Sequence, residues 1–300
     1  MHGFKDTSET LALVSIVTQR PFSIFENDMT TSTEALNAEV LQRALREQLT
    51  LSESDSLAVV EVVDTVDSTN AQLMSEATCS DARFLIARQQ TAGVGRRGGI
   101  WQSPPSGNLY LSYCFHTSQP LSVVSLFPLV FGVEIAEELE SKLGISIQLK
   151  WPNDLYLDGK KCGGMLLETK TMQDGVTAVV VGVGVNVASH PNEELLGRPV
   201  TALQSDRQES VILQDVALAV MRAIIAVSDL STTDITNCLR RQWPERDFLL
   251  NKAVCVSQSA STDVRGIAKG IAKDGGLQVD CGGRMEVFYA GEVSVGHVGP

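Results

Sequence analysis

The chain has 300 residues, enough for one large domain or two unequal ones with an ample core, and a net charge of −12. That balance disfavours indiscriminate nucleic-acid binding. No apolar run is long enough to span a membrane, and the longest early one, Leu11–Val17, has Asp6 and Glu9 before it and no small-residue cleavage site after it, so neither a leader nor a membrane anchor is expected.

Cysteines 79, 114, 162, 238, 255 and 281 form no C-x-x-C pair and have no visible pairing with a histidine. They read as reduced thiols of a cytoplasmic protein, not as a disulfide frame or metal cluster. Residues 1–28 show no sustained period and read as a loose extension. Glu34–Leu49 predicts a helix with Leu36, Val40, Leu41, Ala44 and Leu45 on one face. Leu57–Val63 predicts a strand, and Asp67-Ser68 caps a short helix from Thr69. Phe84–Arg88 and Asn108–Phe115 read as strands, and Val123–Leu143 as one long helix with Pro128 near its start.

Ile145–Lys150, Leu155–Leu157 and Cys162–Thr169 predict a meander turned by Asp158-Gly159. Val176–Val187 reads as a strand buried on both faces. Val211–Val227 and Thr233–Trp243 read as helices. Beyond Leu249–Lys252 the texture changes to short strands at Val254–Ser257, Val264–Ile271, Leu277–Val279 and Glu286–Tyr289, the spacing of a small barrel. The order lacks a regular β-α-β-α rhythm, so an α+β domain with a mixed, largely antiparallel sheet is expected first. The expected organisation is an extension over 1–28, a main domain over 29–250 and a C-terminal domain over 251–300.

The loop Gly93-Val94-Gly95-Arg96-Arg97-Gly98 sets two rigid guanidinium forks among three glycines, a composition suited to phosphate or carboxylate. It matches G-x-G-x-x-G letter for letter, and the dinucleotide-binding reading still fails. That motif needs a following helix and an acidic residue about 20 positions on. Here Pro104-Pro105 stops a helix, and no acidic residue lies between Gly98 and Glu134. Lys150-Trp151-Pro152-Asn153-Asp154 places a cation, amide and aromatic faces and a carboxylate within one turn, a cluster able to take a phosphate, a divalent ion or an amine. Ser68-Thr69-Asn70 reads by itself as a helix cap, Lys160-Lys161 as a solvated turn, and Gly182 and Gly184 as packing glycines before Asn186.

Together these segments resemble the biotin–protein ligase family, the biotin–[acetyl-CoA carboxylase] ligases. Residues 93–98 resemble its G-R-G-R-R-G, Lys150–Asp154 matches its K-W-P-N-D, and Gly182–Asn186 resembles its G-x-G-x-N. The glycine pattern Gly266…Gly270…Gly276…Gly291-Glu292 resembles its SH3-like barrel. The resemblance runs from about Leu36 to Val295. It implies a class II aminoacyl-tRNA synthetase/biotin ligase-like fold that makes biotinyl-5′-AMP from biotin and ATP with Mg²⁺. Biotin then passes to a lysine of a biotin carboxyl carrier protein. It further implies Lys161, Arg96 and Asp154 as the catalytic set, with Asp154 near Mg²⁺ or the incoming lysine. It implies biotin contacts from Ser68, Thr69, Asn70, Gln90, Gly93, Val94, Gly95, Arg96, Lys161 and Gly164. It implies ATP contacts from Arg96, Trp101, Lys150, Asn153 and Asn186.

Two departures stand out. Val94 replaces the family's first loop arginine, and the chain ends without the arginine that some members place after Gly-Glu-x-Ser, which puts nucleotide contact from the C-terminal domain in doubt. Residues 1–60 hold four basic residues, Lys5, Arg20, Arg43 and Arg46, against nine acidic ones, so a DNA-binding repressor segment is not expected. A homodimer through sheet edges is a further family expectation that no residue here decides. The rival readings are a lipoate ligase or octanoyltransferase of the same fold, and a non-catalytic biotin-responsive binding protein supported only by Val94.

Overall fold

The computed structural model describes residues 36–48, 58–77, 82–104, 107–172, 175–259, 262–289 and 292–295, so the expected extension at 1–28 lies outside the described residues. In chain order the elements begin with α1 (Ala38–Gln48), β1 (Val59–Val66), α2 (Thr69–Ser75), β2 (Arg83–Gln90) and β3 (Leu109–Thr117). There follow α3 (Leu121–Val124), α4 (Phe127–Leu143), β4 (Gln148–Lys150), β5 (Asp154–Leu157), β6 (Lys160–Thr171) and β7 (Thr177–Val185). Next come α5 (Glu193–Leu196), α6 (Leu213–Ser228), α7 (Thr232–Arg246), β8 (Ala253–Ser259), β9 (Thr262–Ile271), β10 (Leu277–Asp280), β11 (Met285–Phe288) and β12 (Glu292–Val295).

A seven-stranded sheet runs in the order β1-β2-β3-β7-β6-β5-β4, with β1 parallel to β2 and every other neighbour antiparallel. This is the expected mixed, largely antiparallel α+β sheet. Side chains alternate across it with period two. Phe84 and Ile86 of β2, Leu109, Leu111, Tyr113 and Phe115 of β3, and Val179, Val181, Val183 and Val185 of β7 join the main core. That core also takes in the apolar faces of α4 and α6, which pack on each other. The alternate residues Leu85, Cys114, Ala178 and Val180 meet Leu73 and Ala77 at α2 on the other face. The same alternation puts Ser112, Gly182 and Gly184 on that second face, which the site occupies.

Three expectations change. The helix over 123–143 is two helices, because Pro128 has no N–H for the carbonyl of Val124 and α4 restarts at Phe127. The strand over 145–150 shrinks to β4, because Gly144 takes a left-handed φ of 61° and Ile145 N–H still caps α4 through Leu139 O at 3.2 Å. The expected small barrel is a five-stranded antiparallel sheet ordered β11-β10-β9-β8-β12, and no pairing joins its edge strands β11 and β12 among the described residues. Among these residues no helix is long and apolar enough to cross a membrane.

One buried hydrogen bond ties this second sheet to the first. Trp151 of the Lys150–Asp154 segment donates its indole Nε1–H to Gly275 O, in the β9–β10 turn, at 2.9 Å. A Cβ on Gly275 would meet Leu126 and Leu129 at 2.6 and 2.9 Å, so the turn can press closely on the start of α4. Trp151→Phe keeps a ring and orphans the carbonyl. A loss of about 2 kcal/mol is expected as a lower urea midpoint with unchanged m value. An unchanged midpoint would show that the bond contributes nothing.

Candidate active site

One cavity of about 860 Å³ gathers most of the residues singled out from the sequence: Ser68, Thr69, Asn70, Gln90, Val94, Gly95, Arg96, Trp101, Lys150, Asn153, Asp154, Lys161 and Gly164. Gly93 and Asn186 are absent from its lining. The Gly93 carbonyl accepts from Trp101 N–H at 2.9 Å, which joins the two ends of the loop. Asn186 is buried, donates to Thr201 O at 3.0 Å, and lines a small adjoining cavity with Trp101 and Lys161.

The polar wall starts at α2. Ser68 is its N-cap, and Thr69 and Asn70 are buried in its first turn. The helix-cap reading is therefore correct, and the same residues also line the cavity. Gln90 Oε1 accepts from Thr69 N–H at 2.9 Å, while Gln90 Nε2 donates to Ser103 Oγ at 3.1 Å. Thr69 Oγ1 lies 2.7 Å from Ser112 Oγ and 3.1 Å from Gln90 Oε1, so its single proton serves only one of them. Ser112 Oγ donates to Asn70 Oδ1 at 2.6 Å, and Asn70 Nδ2 donates to Glu168 Oε2 at 2.8 Å. These hydroxyls and amides are fixed before any ligand arrives. Ser112 was not recognisable in the sequence: it is a lone hydroxyl in an apolar strand, and only the pairing of β3 with β7 brings it under α2.

The cationic wall is built by a hairpin. Asp158 and Gly159 both take left-handed φ values, 51° and 76°, as a tight two-residue turn requires. β5 and β6 then pair with a register shift: Leu155 opposes Gly163 and Tyr156 opposes Lys161, leaving Cys162 as the extra residue. Asp154, Tyr156 and Lys161 emerge on one face. Lys161 Nζ donates to Asp154 Oδ1 at 2.5 Å, with both side chains largely buried. A Cβ on Gly164 would lie 3.2 Å from that carboxylate and 3.3 Å from the ammonium, so the glycine leaves room for the pair. Lys150 donates to the Tyr156 hydroxyl at 3.2 Å, and burial raises that phenol to about 12, so it stays neutral. Burial also pushes the Cys162 thiol up to about 12, which removes it as a nucleophile at neutral pH.

The glycine–arginine loop closes over this wall as a small ring. Val94 bridges Ile100, Gly95 N–H donates to Gly99 O at 2.6 Å, and Gly99 N–H donates to Arg96 O at 3.0 Å. Arg97 and Gly98 take φ values of 55° and 73°, which turn the chain back. Arg96 reaches across to Asn153, donating to its Oδ1 at 3.3 Å, and Asn153 in turn donates to Met165 O at 2.5 Å. Trp101 lies flat on β7: a Cβ on Gly184 would strike its ring at 2.4 Å, and one on Gly182 would strike Asn70 Oδ1 at 2.2 Å. These glycines are thus seats for two site residues. The Lys161 ammonium stands 5.7 Å from the Trp101 ring centroid.

Three further contributors lay hidden in the sequence. Arg198 lines the cavity after α5, and Ser257 of β8 and Ser294 of β12 reach it from the second sheet. The lining thus holds four cations, Arg96, Lys150, Lys161 and Arg198, and a single carboxylate, Asp154, already paired. For a chain of net charge −12 this is a local inversion suited to polyanions. No cluster of three or more histidine, cysteine or carboxylate ligands exists among the described residues. A hard divalent ion would find one carboxylate here and would need phosphate oxygens to complete its shell.

Residues 59–186 match the biotin/lipoate A/B protein ligase family, and residues 249–296 match the biotin protein ligase C terminal domain. The bifunctional ligase/repressor BirA of Escherichia coli is 31% identical over 240 residues, covering 79% of this chain and 74% of that protein. The biotin–[acetyl-CoA-carboxylase] ligase of Mycobacterium tuberculosis is 29% identical over 276 residues, covering 88% and 98%. The Aquifex aeolicus biotin protein ligase in complex with biotin and ATP superposes with a TM-score of 0.60 at 26% identity, over 78% of this chain and 97% of that one.

The seating of Trp101 is directly testable. Gly184→Ala forces its ring off β7, while Trp151 and Trp243 stay buried. The expected result is a red-shifted tryptophan emission with unchanged far-UV circular dichroism. An unshifted emission spectrum would mean that the ring does not rest on Gly184.

Proposed function

The chain belongs to the biotin protein ligase family, and from that premise we propose how its cavity joins biotin to ATP and then to a carrier lysine. The observation that carries the reading is the pairing of a fixed hydroxyl–amide wall with a basin of four cations around one cavity. Biotin is a neutral ureido ring on an apolar tail that ends in a carboxylate. The ring suits Ser68, Thr69, Asn70 and Gln90, whose donors and acceptors are already oriented. The carboxylate and the nucleotide phosphates suit Arg96, Lys150 and Lys161.

In the first step a biotin carboxylate oxygen attacks the α-phosphorus of ATP, the bond to the β-phosphate oxygen breaks, and pyrophosphate leaves. Two anions meet in this step, and preorganised cations lower its barrier more than any proton transfer would. Lys161 takes the reacting carboxylate and α-phosphate oxygens, and Arg96 brings the loop down over them. Trp101 covers the apolar tail and closes the nucleotide end of the cavity, with Asn186 buried behind it on the adenine side. In the second step a neutral lysine amine of a biotin carboxyl carrier protein attacks the acyl carbon, and AMP departs. Once Lys161 has turned to the substrate oxygens, Asp154 is released to orient that amine. Asp154 is the one lining carboxylate that would hold Mg²⁺ arriving with the triphosphate, and the ion would supply charge screening of the phosphates.

Val94 costs the loop one cation, but Arg96 retains its reach to Asn153, which supports turnover over a purely binding role. The C-terminal sheet supplies Ser257 and Ser294 to the same cavity, and the reading assigns it the SH3-like role of closing the nucleotide side. The acidic balance of residues 1–60 favours a ligase without operator binding.

With ATP, Mg²⁺ and biotin the protein is expected to release pyrophosphate and to label a carrier domain. Lipoate in place of biotin is expected to give neither. Lys161→Ala is expected to slow pyrophosphate release by roughly 100-fold or more, about 3 kcal/mol, without loss of fold. Turnover with lipoate alone, or a near-normal rate in the lysine variant, would contradict the reading.

A further inference from the structure

Arg198 has no counterpart among the residues that the motifs identify, yet its position is set by the catalytic strand itself. α5 begins at Asn192, whose side chain accepts from Glu194 N–H, and ends at Gly197 with a left-handed φ of 61°. Two residues later the chain pairs with Lys161: Lys161 N–H donates to Pro199 O at 3.2 Å, and Thr201 N–H donates to Lys161 O at 2.9 Å. Glu193 secures the return by accepting from Val200 N–H at 3.2 Å. Val200 is thus paired with Lys161, and Arg198, two residues before it, is held on the same cavity wall with its side chain exposed.

Its surroundings point to a ligand. Only Ile100, Trp101, Lys161, Leu196 and Arg198 line both the main cavity and the small pocket that holds Asn186, so Arg198 stands at their junction. It makes no hydrogen bond or ion pair among the described residues, although its charge is felt at the Tyr156 phenol. A guanidinium kept at a junction of two pockets without a carboxylate partner is a fork waiting for an anion. We propose that Arg198 binds the nucleotide phosphates, completing with Lys161 and Arg96 a three-sided cradle for the group that links adenosine to the reacting carboxylate. The inference rests on the biotin–ATP reading above. It adds a specific phosphate-binding residue carried by the segment after α5.

The test is the KM for ATP in biotin-dependent pyrophosphate release at saturating biotin, alongside the equilibrium affinity for biotin. Arg198→Ala and Arg198→Gln are expected to raise the KM for ATP roughly 10- to 100-fold, the span of one charge-assisted contact. Biotin affinity should stay within about twofold and thermal stability should not change, since the side chain is exposed. Arg198→Lys keeps the charge without the fork and should recover part of the loss. Added salt should weaken ATP use less in the Ala variant than in the parent. An unchanged KM for ATP, or a lysine variant no better than alanine, would overturn the assignment while leaving the ligase reading intact. A parent protein without biotin-dependent pyrophosphate release would overturn both.

Discussion

Lys161 and Asp154 face each other across a hairpin whose register shift brings both to one face. Without ligand the ammonium needs that carboxylate, because an unpaired charge buried to this degree would be costly. In the proposed reaction the same ammonium turns to the substrate oxygens. The pair thus stores a cation in the cavity without locking it, and Gly164 provides the space in which it can turn. Two other cations depend on this hairpin: Arg96 is anchored through Asn153 just before it, and Arg198 directly precedes the segment 199–201 that pairs with Lys161. The site is in this sense one structural unit with a single charge exchange at its centre.

The sheet supplies the rigidity that such an exchange needs. β7 is apolar on the core side, and on the other its C-terminal end is bare, where Gly182 and Gly184 leave the space that Asn70 and Trp101 fill. A side chain at either glycine would push a site residue off its seat. The polar wall is pinned through Ser112 and Glu168 from neighbouring strands, so ligand orientation is prepaid by the fold. The Trp151–Gly275 bond then sets the C-terminal sheet against the same segment that carries Asn153 and Asp154.

The motifs were legible because they are local. A glycine–arginine loop, a Lys-Trp-Pro-Asn-Asp turn and an Asp-Gly hairpin each carry their chemistry within a few residues. The mixed sheet was legible from the element order, which lacks a regular β-α-β-α rhythm, and the buried strand β7 from its valine run. What stayed hidden is contributed by contacts distant in sequence. Ser112 matters only because β3 lies under α2, and Arg198 only because residues 199–201 pair with Lys161. Ser68-Thr69-Asn70 shows the converse, since one short segment serves both as helix cap and as cavity wall. The helix over 123–143 misled because apolar periodicity continues through Pro128, whereas the backbone hydrogen bonds do not.

In the proposed reaction a biotin carboxylate oxygen itself attacks the α-phosphorus inside this cationic basin. Biotin labelled with ¹⁸O in both carboxylate oxygens, turned over with ATP and a carrier domain, tests that claim most directly. Attack through the carboxylate leaves one labelled oxygen on each AMP after the lysine displaces it, and none on pyrophosphate. AMP without label, or label in pyrophosphate, would contradict the mechanism.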